Sequence, residues 1–172
     1  MIRKPNKVRE KLAKGEAVIG TVSYSWSPTI VEVAGLAGLD FIRIDCEHSW
    51  RQDGMADNLI RAAALTDIVP FMRIDAGSPF LAMKALEIGA GGIIAIDIET
   101  AEDAKEIVRQ AKFPPIGKRG YSGQCWSGAW GAKGGKEWVE WSDREQMIGV
   151  MIENPSAVKN GLKSLKELRL SS

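Results

Sequence analysis

Short apolar runs recur along the 172-residue chain, four of them starting roughly 23 to 28 residues apart, the pitch of a strand followed by a helix. Val18-Ile19-Gly20-Thr21-Val22-Ser23 reads as the first strand. Ser27 and Pro28 then supply an N-cap and a first-turn proline for a helix that ends near Gly38. Phe41-Ile42-Arg43-Ile44-Asp45 is a second strand, followed by a helix around Asn58 to Leu65. Val69 to Arg73 is the third strand, and Ser78-Pro79 opens the helix that Gly89 closes. Gly92 to Ile96 is the fourth. Thr100-Ala101-Glu102-Asp103 resembles a capping box for a helix that must stop before Pro114-Pro115. Ile148 to Ile152 is a fifth strand, and Asn154-Pro155 starts a last helix.

Strand alternating with helix implies a parallel sheet with right-handed crossovers in a single α/β domain spanning residues 1–172. A closed (β/α)8 TIM barrel typically needs about 250 residues, so about five βα units leave two architectures open. One is an open, doubly wound five-stranded sheet, a small-ligand-binding arrangement. The other is an incomplete barrel of TIM type. Periodicity does not choose between them. The stretch from Lys118 to Trp141 stands apart: it is rich in glycine, carries Trp126, Trp130, Trp138 and Trp141, and reads as a long aromatic loop, a lid or an interface.

Composition narrows the function classes. A formal net charge of +1, with no run of five or six basic residues, gives no reason to expect nucleic acid as a partner. Cys46 and Cys125 fit no disulfide or zinc framework. No secretory leader or membrane-spanning run is read, so no membrane partner and a cytoplasmic location are expected.

Polar residues crowd the C-terminal ends of the strands, where ligands bind in parallel α/β folds. The second strand runs into Asp45-Cys46-Glu47-His48, the third ends at Arg73 and the fifth runs to Glu153. His48, the chain's single histidine, could exchange protons near neutral pH. Arg73 could hold a carboxylate or an oxyanion, or form a strand-end ion pair. Glu153 could bind a hard metal ion, or sit at a helix N-terminus where the dipole favours a carboxylate.

In combination these segments resemble the HpcH/HpaI aldolase family. Asp40 to His48 is similar to its D-[FW]-x-x-x-D-x-E-H motif, Pro70 to Arg73 to its third-strand arginine motif, and Leu86-Glu87-Ile88-Gly89-Ala90 to its L-[DE]-x-G-A segment. Thr100 to Ala104, Pro114 to Gly120 and Val150 to Glu153 follow in the family's order. The resemblance implies an incomplete TIM barrel and a class II, metal-dependent lyase that reversibly cleaves a hydroxy-2-oxo-acid to pyruvate and an aldehyde through a metal-stabilised enolate. It implies Glu153 as a ligand of a divalent ion, Mg²⁺ or Mn²⁺. It implies His48 as the base, Glu87 as the acid that raises the basicity of the histidine, and Arg73 as the oxyanion stabiliser. A homo-oligomer would be in keeping with it.

The sequence also departs from the family. The second metal carboxylate, in a G-P-x-D type segment after a sixth strand, has no counterpart; Met151 replaces a glutamine found in many members, and Ile96-Asp97 stands where many have Pro-Met. A non-catalytic, truncated remnant of an aldolase is the competing expectation.

Overall fold

The computed structural model describes residues 3–49 and 55–164. Five parallel strands, β1 (Gly20–Ser23), β2 (Phe41–Asp45), β3 (Val69–Asp75), β4 (Gly92–Ile96) and β5 (Met147–Val150), form one sheet in the order β1-β2-β3-β4-β5. Each strand lies beside its predecessor. A doubly wound sheet reverses its strand order part-way, and this one does not; it winds in one direction, as a barrel wall does. The open-sheet alternative is thereby removed, and the fold is a partial TIM barrel. Among the described residues β1 and β5 are its edges, where Ile19, Val22, Val150 and Ile152 are exposed.

The helices are α1 (Lys7–Ala13), α2 (Pro28–Leu36), α3 (Ala56–Ala64), α4 (Pro79–Glu87), α5 (Ala101–Ala111), α6 (Gly135–Glu145) and α7 (Pro155–Ser164). Side chains alternate across each strand, and the two faces have different partners. Ile42, Ile44, Met72, Ile74, Ile93 and Ala95 point to the helices and pack with Val31, Leu59, Ile60, Leu86 and Ile107. Full burial of each such branched side chain is worth about 1.5–3 kcal/mol. On the opposite face Phe41, Val69, Phe71, Ile94 and Met147 form a second cluster, closed from below by Val8 of α1. The capping box at Thr100 and Asp103 forms as expected. Ser27 is the N-cap residue of α2 but makes no side-chain capping bond. Among the described residues no helix is long and apolar enough to cross a membrane.

Two elements differ from the sequence expectation. Helix α1, capped by the Asn6 side chain accepting from the Arg9 N–H, lies in a lysine-rich stretch with a single buried position, Val8. The segment from Lys118 to Trp141 is not one loop: a 3₁₀ turn at Ala129–Gly131 leads into α6, which buries Trp138 and Ser142 one turn apart. Trp138, Phe113 and Cys125 make a third apolar cluster.

Phe41 and Phe71 meet edge to face, with ring centroids 6.0 Å apart, and each ring lies over a glycine of the neighbouring strand. A Cβ on Gly92 would lie 2.6 Å from the Phe71 ring and 2.5 Å from the Met147 carbonyl oxygen. That oxygen is fixed backbone and has no rotamer to escape into. Gly92→Ala is expected to cost about 1–3 kcal/mol, read as a lower midpoint in urea unfolding; an unchanged midpoint would show that β4 and β5 can move apart there.

Candidate active site

The chemistry-bearing residues gather where β2, β3 and β4 end. Asp45, the last residue of β2, is fully buried. Its Oδ1 accepts the backbone N–H of Glu47 (3.0 Å) and of His48 (2.8 Å), an Asx-type turn that aims the next residues across the strand ends. Ser49 Oγ donates to the Asp45 carbonyl and in turn accepts from Trp26 Nε1 at 3.0 Å, which fixes the far side of the turn. The other Asp45 oxygen, Oδ2, accepts from Arg73 Nη1 at 3.0 Å. Burial alone would raise the Asp45 carboxyl; the His48 amide, the Arg73 guanidinium and the Glu47 amide outweigh it and hold the group below its ordinary value.

Arg73 is buried, and its side chain comes within ion-pair distance of three carboxylates. Besides Asp45, its Nη2 lies 2.5 Å from Glu47 Oε2 and 3.5 Å from Glu153 Oε2. Burial would lower the guanidinium; the bond to Asp45 and the charges of Asp45, Glu47 and Glu153 reverse that and keep it above its ordinary value. Glu153 lies beyond β5, which ends at Val150 rather than at Ile152. Its Oε1 accepts the N–H of Asp97 at 3.2 Å, and Asp97 has a φ of 55°, a left-handed conformation that Asp tolerates better than most residues. His48 stands at the rim, with 62% of its side chain exposed and Nε2 at 3.5 Å from Glu47 Oε2.

Of the residues singled out in the sequence, Glu153 therefore meets Arg73 directly, and His48 joins them through Glu47. Glu87 does not join them within this chain. Helix α4 runs back from the C-terminal end of β3 to the N-terminal start of β4, and Glu87 is its last residue. There its carbonyl accepts from Ser127 N–H, and its carboxyl, raised by burial and pulled down less strongly by Arg119, leaves Oε1 buried without a hydrogen-bond partner. Asp45 and Glu47, given no role from the sequence, are the residues that organise the cluster; Arg43, two positions before Asp45, lies beside it at 3.6 Å. Their signal was present in β2: Arg43 and Asp45 share the strand face that Arg73 occupies on β3.

The donor set suits a hard divalent cation in part. Glu47 and Glu153 bring carboxylate oxygens to one guanidinium nitrogen, and Mg²⁺ is commonly held by one or two carboxylates, with water and ligand oxygens completing the shell. Among the described residues no group of three or more His, Cys, Asp and Glu side chains is placed to hold a metal ion by itself. A cavity of about 370 Å³ lies at the opposite, N-terminal end of the strands, lined in part by Asn6, Pro70, Gly91, Trp126 and Trp141. Its lysines are already paired, Lys4 with Asp67 and Lys7 with Asp40, so it is the strand-exit cluster that has the reactive groups.

Residues 20–165 match the sequence profile of a family described as HpcH/HpaI aldolase/citrate lyase. The hydroxypyruvate/pyruvate aldolase of Roseobacter denitrificans is 29% identical over 155 residues, which are 90% of this chain and 60% of that protein. The crystal structure of an HpcH/HpaI aldolase from Desulfitobacterium hafniense DCB-2 superposes with a TM-score of 0.80 at 30% identity, covering 94% of this chain and 62% of the other. A HpcH/HpaI aldolase/citrate lyase family protein from Burkholderia cenocepacia J2315 gives 0.82 at 26% identity, covering 90% and 62%. The chain thus spans about 60% of the length of the relatives it matches.

Proposed function

This chain belongs to the HpcH/HpaI aldolase/citrate lyase family, and from that premise we propose that its strand-exit cluster serves the reversible aldol cleavage of a hydroxy-2-oxo-acid to pyruvate and an aldehyde. One observation carries the reading: two carboxylates, Glu47 and Glu153, converge on the buried guanidinium of Arg73 with the histidine at the rim. Glu153, with Glu47 beside it, would hold a divalent cation, Mg²⁺ or Mn²⁺. Such an ion supplies Lewis-acid withdrawal of charge from an oxo-acid carbonyl. Arg73 donates hydrogen bonds to the oxygen on which negative charge develops. His48, open to solvent, takes and returns the proton, directly or through a water. Asp45 touches no substrate; it positions Arg73 and the backbone of residues 47 and 48. No lysine nucleophile is needed in this scheme.

The test is exchange of the pyruvate methyl protons for deuterium, followed by NMR with and without Mg²⁺ or Mn²⁺. The chain is expected to exchange them only with metal, and His48→Ala to slow exchange at least about 100-fold. A folded, metal-supplied sample that leaves the methyl protons in place would overturn the assignment of activity.

A further inference from the structure

Arg43 is a cation of the cluster for which the chemistry above has no use. It occupies an inward position on β2, beside Val22 on β1 and Phe71 on β3 in the sheet register. Its polar contact among the described residues is Nη2 at 3.6 Å from Asp45 Oδ2, an ion contact too long for a hydrogen bond, to an oxygen that Arg73 already holds at 3.0 Å. Its Nε is buried and has no acceptor. A guanidinium has five N–H donors in a rigid fork, and donors left unpaired among apolar neighbours are costly. Arg73 spends its charge on three carboxylates at 6% exposure; Arg43 keeps donors unspent at 21% exposure, within reach of a ligand seated over Asp45 and Arg73.

We infer that Arg43 is a specificity-determining residue that receives a second anionic group of the ligand, so that the site binds dicarboxylic oxo- or hydroxy-acids more tightly than monocarboxylic ones. This rests on the reading of the cluster as an oxo-acid site. The fork of Arg43 matches a carboxylate in two parallel hydrogen bonds, which a solvated lysine at the rim would not provide. A ligand with one carboxylate leaves those donors as they are; a ligand with two satisfies them.

Malate and lactate differ by one carboxylate and undergo no aldol reaction, so their dissociation constants in the presence of Mg²⁺, measured by calorimetry, isolate the interaction. The wild-type chain is expected to bind malate about 10- to 100-fold more tightly than lactate. Arg43→Gln should abolish that ratio and leave lactate unchanged, and Arg43→Lys should fall between. A purely structural Arg43 would move both constants together, and that result, or a wild-type ratio near one, overturns the inference. Should Arg43→Gln fail to fold, the wild-type ratio and its reduction in Arg43→Lys decide alone. A malate preference carried by Arg43 in a chain that does not exchange pyruvate protons would keep this assignment and sink the aldolase reading. Normal exchange with a ratio indifferent to residue 43 would do the reverse.

Discussion

Replacing Arg73 with alanine is expected to cost about 3–5 kcal/mol of folding stability and to slow metal-dependent pyruvate exchange about 1000-fold. Both losses come from one guanidinium. Asp45 is wholly buried, and removing Arg73 leaves its charge in the sheet with two backbone amides and a longer ion contact to Arg43, 3.6 Å, to hold it. Glu47 and Glu153 lose their common counter-ion at the same time and repel each other. The pH dependence follows in sign. The folded-state Asp45 carboxyl lies below its ordinary value of 3.8, so the stability it contributes is present above that value and is lost as pH falls through the folded one. The deficit of Arg73→Ala should therefore be widest near neutral pH and shrink in acid, where a protonated Asp45 no longer needs the cation. Urea unfolding across that range measures it. Arg73→Lys, which keeps charge but loses the fork, should regain part of the stability and little of the rate. An alanine variant with wild-type stability at neutral pH would show that Asp45 does not depend on Arg73.

The sequence revealed the frame more fully than the furniture. Strands β1 to β4 were legible because each is a short apolar run between helix signals, but β3 runs two residues beyond Arg73, where the sequence had ended it, so that Arg73 pairs with the last residue of β2 from inside the sheet. What periodicity could not supply was the order of the strands, since a barrel wall and a doubly wound sheet are built from the same repeating unit. Helix α6 was hidden by its own composition: Gly134 caps it and Gly135 opens it, and three turns of Lys, Glu and Trp read as an aromatic loop unless the spacing of Trp138 and Ser142 is followed. In β2, alternation would have placed Arg43 and Asp45 on the inward face, but a charged pair inside an apolar strand looks like noise until Arg73 is seen opposite. Glu87 was placed by its motif in sequence, not in space. Its neighbours in sequence resemble the family's, yet the direction of α4 carries it to the far end of this chain's sheet from His48.

The second large effect lies at that far end. Trp138→Ala is expected to lower stability by about 3–5 kcal/mol while leaving malate and lactate binding per folded molecule unchanged. The indole is fully buried, donates to Ser127 Oγ at 3.1 Å, and meets the Phe113 and Tyr121 rings edge to face at 5.2 and 5.4 Å. It also forms part of the aromatic wall against the buried guanidinium of Arg119, which lies 4.5 Å from the Phe113 centroid and 5.5 Å from that of Trp138. Burial pulls Arg119 down to about 10, and its Nε and Nη2 find no acceptor, so the aromatic faces are a large part of what makes its burial tolerable. Through Arg119 Nη1 the wall reaches Ser142 and Gln146, and Gln146 Nε2 fastens the start of β5 to the Leu86 and Ala90 carbonyls at the end of α4. Loss of the indole opens a cavity beside a cation that is 3% exposed in the folded chain and lets water in to it. Trp138→Phe, which keeps a ring and loses the N–H, should cost far less, about 1 kcal/mol beyond the smaller volume. If Trp138→Ala instead abolished ligand binding in the folded fraction, the two ends of the strands would be coupled, and the 118–146 segment would belong to the site as well as to the core.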